Sequence, residues 1–228
     1  ERTFAFGAPH MNFIFECSRS AAQKVKPKRK LQAERILQAA TACFVRSGLQ
    51  GASMQEICRE AGMSPGALYR YFPSKDAIID AIVAELRKRD AEILAKMADC
   101  DDVLEGIVKA FFNHLRTIDR TGLRPLFIEI RAEAIRNASV AEACRLSEED
   151  ARERFAAYLR NAENAGRIDP VVPVDALVTL LLSVGEGLIM NDLRGHGLSR
   201  ETVEKVLRST ISAVIRPVPA TVAVSMDT

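Results

Sequence analysis

The chain has 228 residues, 48% of them hydrophobic and 27% charged. At that length a core is buried without disulfide or metal staples, and the composition excludes wholesale disorder, a collagen-like repeat and a disulfide scaffold. No run reaches the ~18 uninterrupted apolar residues of a membrane span; the nearest, 176–190, is broken by Thr179, Ser183, Gly185 and Glu186. The net charge of +2 conceals a split: residues 18–75 hold eleven Lys or Arg against three Glu, a surplus of +8, and the rest of the chain carries −6. A basic N-terminal third before an acidic body suggests one end that meets a polyanion and another that does not. Cys17, Cys43, Cys58, Cys100 and Cys144 are odd in number, widely spaced and without a C-x-x-C, so neither a disulfide framework nor a zinc knuckle is expected. Each reads as a buried small hydrophobe rather than a redox sensor. His10, His114 and His196 are too scattered for a metal site, no cofactor is implied, and this cysteine usage fits a reducing, cytosolic interior.

In chain order, residues 1–10 lack an initiator Met and Met11 follows directly, which suggests an expression scar or upstream read-through to be left out of fold reasoning. The stretch 4–15 is apolar in patches, but it has no basic flank and Gly7, Pro9 and His10 interrupt it, so it reads as no export signal. Residues 18–30 read as a flexible arm, with Lys24, Lys26, Lys28, Arg29 and Lys30 around a helix-opposing Pro27; the whole of 1–30 is set apart as disordered or non-native. From Leu31 onward the apolar spacing is helical and strand-type alternation is absent, so the expected class is all-α with about nine helices.

A first helix is expected over 31–47, with Ile36, Leu37, Ala40, Cys43 and Phe44 on one arc and Gly48 as a left-handed C-cap. Ser53 and Glu56 make a capping box for a second helix, whose stripe is Met54, Ile57, Cys58 and Ala61 and whose end is Gly62. Ser64 and Pro65 start a short third helix as N-cap and first residue; Leu68 and Phe72 face inward and Pro73 stops it. Ser74 caps a fourth helix over 75–98. Five longer helices follow at 101–119, 123–136, 139–165, 173–193 and 200–215, with breaks at Gly122 and Pro125, Asn137, Gly166 with Pro170 and Pro173, and Gly195 with Gly197. The Pro- and Val-rich tail, 217–228, is expected to fray.

The helix at 54–61, a tight turn at Gly62 and Met63, and the helix at 65–72 fit a helix-turn-helix. A short second helix with a small start, Gly66 and Ala67, can bring its backbone close to base edges while Leu68 and Phe72 hold it from behind. Tyr69, Arg70 and Tyr71 are left pointing outward, and phenol and guanidinium groups suit phosphate oxygens. The same spacing fits a plain αα-hairpin whose tyrosines cover a core edge; the +8 surplus favours double-stranded DNA. The basic arm either follows the DNA backbone or minor groove or stays a solvated tail.

Three runs carry a closer likeness: Phe44-Val-Arg-Ser-Gly48, Ser53-Met-Gln-Glu-Ile57, and Ala61-Gly-Met-Ser-Pro-Gly-Ala-Leu-Tyr-Arg-Tyr-Phe-Pro-Ser-Lys-Asp76. In these the sequence resembles the N-terminal domain of the TetR/AcrR family of bacterial regulators, over about residues 33–85. The helical remainder matches that family in length and helix count only. The resemblance implies a helix-turn-helix DNA-binding domain over 31–75 and a helical effector-binding and dimerisation domain over 76–216. It implies that Ser53 touches a phosphate and that Gln55 reaches the backbone or a base edge. Ser64, Pro65, Gly66 and Ala67 would approach bases, Tyr69 and Tyr71 would contact phosphates, and Lys75 would anchor the phosphate on the far side. Pro65 departs from members with Lys or Arg there and removes a guanine contact; Arg70 stands where other members often have Tyr and supplies charge.

Toward the C-terminus, Val203, Val206, Leu207, Thr210, Ile211 and Val214 form one continuous stripe. The preceding helix, with Leu177, Leu181, Val184 and Leu188, is apolar nearly all round. Covering it on two sides calls for a partner chain, although core helices of a monomer carry the same pattern. The resemblance implies that these two helices pair with two-fold mates as a four-helix bundle, Gly185 and Gly187 allowing close approach. Phe111, Phe112, Asn113 and His114, with Phe127, Glu129, Phe155 and Tyr158, lie on helices that would enclose the family's effector pocket. Aromatics at helical spacing are more often core, and His114 more often a satisfied polar partner than a ligand contact. With no Trp and 6% aromatics, the pocket is expected to be apolar and to take a small hydrophobic molecule.

The function expected is that of a cytoplasmic bacterial transcriptional regulator. It would be a homodimeric repressor on an inverted-repeat operator, released by the effector; activation instead of repression is left open. The alternative from another class is an all-α ligand carrier or enzyme whose N-terminal hairpin is structural. It would need a catalytic set, and neither H-E-x-x-H, a phosphate loop nor paired metal ligands occur.

Overall fold

The computed structural model describes residues 28–191 and 196–219. The readings made for 1–27, including His10, Cys17, Lys24 and Lys26, lie outside the described residues, as do the Gly195 break and the tail beyond 219. The described residues form nine α-helices: α1 (Lys28–Gly51), α2 (Met54–Glu60), α3 (Pro65–Tyr69), α4 (Lys75–Ala95), α5 (Val103–Thr121), α6 (Arg124–Ala134), α7 (Ala138–Asn164), α8 (Val174–Met190) and α9 (Arg200–Ile215). Among the described residues the extended pairing is limited to an isolated bridge between Ile168 and Pro217. The chain is all-α. It divides into two compact units, one running through Ala84 and including Ile118–Cys144, the other made of Glu85–Thr117 and the chain from Arg145 onward.

In the first unit α1 begins at Lys28, inside the stretch read as a flexible arm. Past Pro27 nothing opposes a helix, and Lys and Arg are good helix formers. Its arc of Ile36, Leu37, Ala40, Cys43 and Phe44 is buried, each large side chain stabilising by roughly 1.5–3 kcal/mol. The helix breaks at Gly48, where φ is 72° and ψ is 165°. The positive φ is the one a C-cap glycine supplies, but ψ is extended instead of left-handed helical, so one more turn follows before Gly51. α1 packs on α2 and on α6, and α2 on α3.

The second unit is built on faces. Ile107, Phe155, Leu159, Leu177, Leu181 and Leu207 belong to one buried apolar cluster drawn from α5, α7, α8 and α9. Beyond α9 the expected fraying does not begin at 217: the Val218 amide donates to the Arg167 carbonyl at 2.9 Å and the Val171 amide to Val214 at 3.0 Å. These bonds close over Ile168, which is buried, so burial of one side chain recruits the start of the tail.

Candidate nucleic-acid interface

α2 and α3 are too short to be stable alone, and their ends do the holding. Ser53 has extended backbone, and its Oγ accepts from the Glu56 amide at 3.2 Å. The Glu56 carboxylate is held below its ordinary range by Arg46 first, at 3.0 Å, then by the Ser47 hydroxyl and, least, by the Ser53 backbone amide, against an opposing effect of burial. The capping box is present, with Arg46 of α1 as its main outside support. At the other end Gly62 takes φ 60°, the Gly62 amide bonds to the Arg59 carbonyl and the Met63 amide to Cys58 at 3.0 Å, the pattern of a glycine-ended helix. Ser64 then accepts from the Ala67 amide at 3.4 Å, with Pro65 in the first turn. α3 stops at Tyr69 instead of Phe72; Pro73 disfavours helical backbone at Phe72 alone, and the Tyr71 and Phe72 amides still reach the Leu68 carbonyl at 2.9 and 3.0 Å.

One side of this short helix is anchored and the other is open. Leu68 is fully buried, with Ile57, Cys58 and Ala61 of α2 also inside. Ser53, Gln55, Ser64, Pro65, Gly66 and Arg70 are exposed, Tyr69 is 49% exposed, and Ala67, Tyr71 and Lys75 are half-buried. A Cβ at Gly66 would meet nothing within 4 Å, so the backbone there is bare. The spelling Gly62-Met63-Ser64-Pro65-Gly66 is that of a nucleophile elbow, but an elbow needs a strand before it, and here Ser64 is a helix cap. The Lys75 ammonium donates to the Leu49 carbonyl at 2.7 Å and to Ala52 at 3.3 Å. Two of its three N–H groups thus serve the fold and one is left over.

Two residues of α6 also bear on this region, and one had been read as part of the effector pocket. Glu129 Oε2 accepts from the Leu49 amide at 2.5 Å, and Glu133 Oε2 accepts from Gln50 Nε2 at 2.9 Å. Arg136 foremost keeps Glu133 ionised, Gln50 adding to it against burial. Four-residue spacing of two acids is a weak signal, and nothing local says which chain segment they meet.

The remaining expected positions are distributed as follows. Phe127, under the Arg131 guanidinium at 5.4 Å, and Glu129 belong to the first unit. Phe111, Phe112, Asn113, His114, Phe155 and Tyr158 belong to the second. There Phe155 is core, Phe112 lies under Arg200 at 5.0 Å, and Asn113 accepts from Arg116 at 2.9 Å. His114 Nδ1 donates to Asp90 Oδ1 at 2.8 Å. Burial, the largest influence on His114, opposes its charge, but the hydrogen bond and charge of Asp90, with Glu186, outweigh it and Arg89, so its pKa is raised. The Tyr158 hydroxyl is buried without a hydrogen-bond partner, and burial pushes its pKa up. On α8 and α9, Leu177, Leu181, Val203, Leu207 and Ile211 fill the unit's own core. Leu188 and Val214 are half-buried, while Val184, Val206 and Thr210 are exposed, joined by Leu180 at 57%. A Cβ on Gly185 would come 3.1 Å from Phe111 Cε1, so that glycine serves packing within the chain; Gly187 has open space. Cys43, Cys58 and Cys144 are buried and Cys100 is half-buried, and none of these four is in a disulfide. Among the described residues no helix is long and apolar enough to cross a membrane.

A capped helix pair with an anchored back and a bare front, on an all-α chain, defines a class: the helix-turn-helix regulators of transcription. The sequence matches the family described as bacterial regulatory proteins, tetR family, over residues 36–82, and the one described as BetI-type transcriptional repressor, C-terminal, over residues 101–216. This chain belongs to the tetR family of bacterial regulatory proteins. It is 32% identical to the HTH-type transcriptional regulator UidR of Escherichia coli K12 over 79% of this chain and 91% of UidR. It is 28% identical to the HTH-type transcriptional repressor AcnR of Corynebacterium efficiens, over 87% of this chain and 99% of AcnR. Among solved structures it is similar to Salmonella enterica GusR, with a TM-score of 0.76 and 27% identity over 85% of this chain and 99% of GusR. The family and these named regulators are not enzymes, which sets the enzyme alternative aside.

Proposed function

We propose that the chain acts in a bacterial cytoplasm as a homodimeric repressor of transcription. Two α3 helices enter successive major grooves of an inverted-repeat operator, about one turn (~34 Å) apart. The observation that carries this reading is the division of α3, with Leu68 buried behind and Ser64, Pro65, Gly66, Tyr69 and Arg70 open in front. Ser64 to Ala67 approach the bases; Ser53, Tyr69, Tyr71 and the spare N–H of Lys75 take phosphates, and Gln55 takes the backbone or a base edge. A two-fold operator asks for a two-fold protein, and Leu180, Val184, Val206 and Thr210 are the exposed part of the α8 and α9 face that would receive the mate. The effector is a small hydrophobic molecule held in the second unit near Phe111, Phe112, His114, Phe155 and Tyr158. It releases DNA by binding better to a conformation with the wrong spacing of the two heads. The similarity to AcnR, a transcriptional repressor, supports the direction of control.

Duplexes enriched by the protein from a random pool, followed by fluorescence anisotropy across a salt series, test the reading. The Tyr69→Ala variant is expected to bind about tenfold more weakly with an unchanged salt slope, because a neutral phenol releases no counterion from a phosphate. Failure to enrich any duplex, or wild-type affinity in that variant, would overturn it.

A further inference from the structure

The last turn of α1, beyond its break at Gly48, runs over 48–52 into α2 and decides where Ser53 and Gln55 stand. Leu49 and Ala52 are its buried residues, and the backbone between them is held by polar groups from two other helices of the same unit. From α4, the Lys75 ammonium takes the Leu49 and Ala52 carbonyls. From α6, Glu129 takes the Leu49 amide at 2.5 Å and Glu133 the Gln50 side chain at 2.9 Å. Leu49 is therefore gripped through both its N–H and its C=O, by a carboxylate on one side and an ammonium on the other. Such charge-assisted bonds are roughly twice as strong as neutral ones. Gly48 makes room for the acid: a Cβ there would lie 3.2 and 3.3 Å from the two Glu129 oxygens. Glu133 is only 7% exposed, and Arg136 Nε holds it at 2.9 Å, so its aim is fixed.

α6 lies within residues 101–216, which match the C-terminal repressor family, but it packs in the first unit. We infer that Glu129 and Glu133 are positioning residues for DNA binding: their carboxylates hold the 48–52 turn, and with it Ser53, Gln55 and the Lys75 ammonium, in the register that meets phosphates. This rests on the DNA-binding reading above. A helix belonging in sequence to the C-terminal region thereby sets the affinity of the N-terminal head.

The probe is a duplex enriched by the wild-type protein, and binding is measured across a salt series well below each variant's melting temperature. Glu129→Ala frees the Leu49 amide. It is expected to lower affinity about tenfold and to make the salt slope shallower by about one, because a misplaced turn draws the Lys75 ammonium, the cation among the groups it positions, away from its phosphate. Loss of stability alone lowers the competent fraction and leaves the slope unchanged. Glu129→Gln keeps a carbonyl oxygen for the same amide and is expected to restore the slope. Gln50→Ala, at an exposed position, removes only the tie to Glu133 and serves where Glu129→Ala does not fold; it is expected to move the slope in the same direction by less. Wild-type slopes in both alanine variants would overturn the inference and leave DNA binding standing. Absence of any enriched duplex would overturn DNA binding itself, and this with it.

Discussion

The α2–α3 head and the helical body of the second unit solve opposite problems. The head has helices of seven and five residues, stabilised at their ends by Ser53, Gly62 and Ser64 and by few buried side chains. The body has helices of 16 to 27 residues, stabilised along their faces by one apolar cluster. In the head, adjacent residues of one helix divide the work: Leu68 packs and Tyr69 presents. In the body the same aromatic residues both fill the core and line the region proposed for the effector. Stability and binding should therefore separate cleanly in the head and stay entangled in the body.

The most direct attempt to break this contrast compares Leu68→Ala with Tyr69→Ala by urea denaturation. Leu68 is fully buried, and truncation is expected to cost about 2–5 kcal/mol. Tyr69 is half in solvent, and its truncation is expected to stay within about 0.5 kcal/mol, although DNA affinity falls in both. Equal destabilisation by the two would mean that α3 has no separate presenting side.

A second test addresses the body. A Cβ on Gly106 would lie 2.8 Å from the Tyr158 hydroxyl and 3.2 Å from the Met97 carbonyl, so Gly106→Ala overpacks the core, at about 1–3 kcal/mol. Tyr158→Phe deletes a buried hydroxyl that has no partner and is expected to be neutral or to stabilise by up to about 1 kcal/mol. Combining them should recover part of the Gly106→Ala loss, since the shortest of three close contacts disappears while those to the Met97 carbonyl and, at 3.3 Å, to the Cys100 Cβ remain. Strict additivity of the two changes would show that the hydroxyl is not what the new methyl meets.

What could be read from sequence follows the same division. Caps and glycine stops are local, so Ser53 with Glu56, Gly62, and Ser64 with Pro65 declare the head within a few residues of where each acts. Long faces are not local. The period of Val203, Leu207 and Ile211 announces an apolar side of α9, but the spacing does not say whether the chain's own core or a second chain covers it; the fold turns these three inward and leaves Val206 and Thr210 out. The Glu129 bond to Leu49 spans 80 residues, and no pattern in α6 encodes its partner. Gly185 likewise looked suited to a close approach between chains, and only the packed structure shows Phe111 filling the space beside it.

The smallest expected effect asks whether the body contains a polar tie of the kind on which the head depends. His114 on α5 donates to Asp90 on α4, with Glu186 of α8 adding negative charge and Arg89 opposing it. Its folded pKa lies above the ordinary 6.5, so the folded state binds this proton more tightly than the unfolded one. The stabilisation is complete below about pH 6.5 and is lost as pH rises through the raised value. Wild-type urea midpoints should fall, relative to His114→Gln, as the pH is taken from about 6 to about 8. Asp90→Asn should remove most of that difference, because without the carboxylate the imidazole has little reason to stay charged against burial. Parallel curves for wild type and His114→Gln would mean that the pair is only a contact between neighbouring helices and adds nothing to stability.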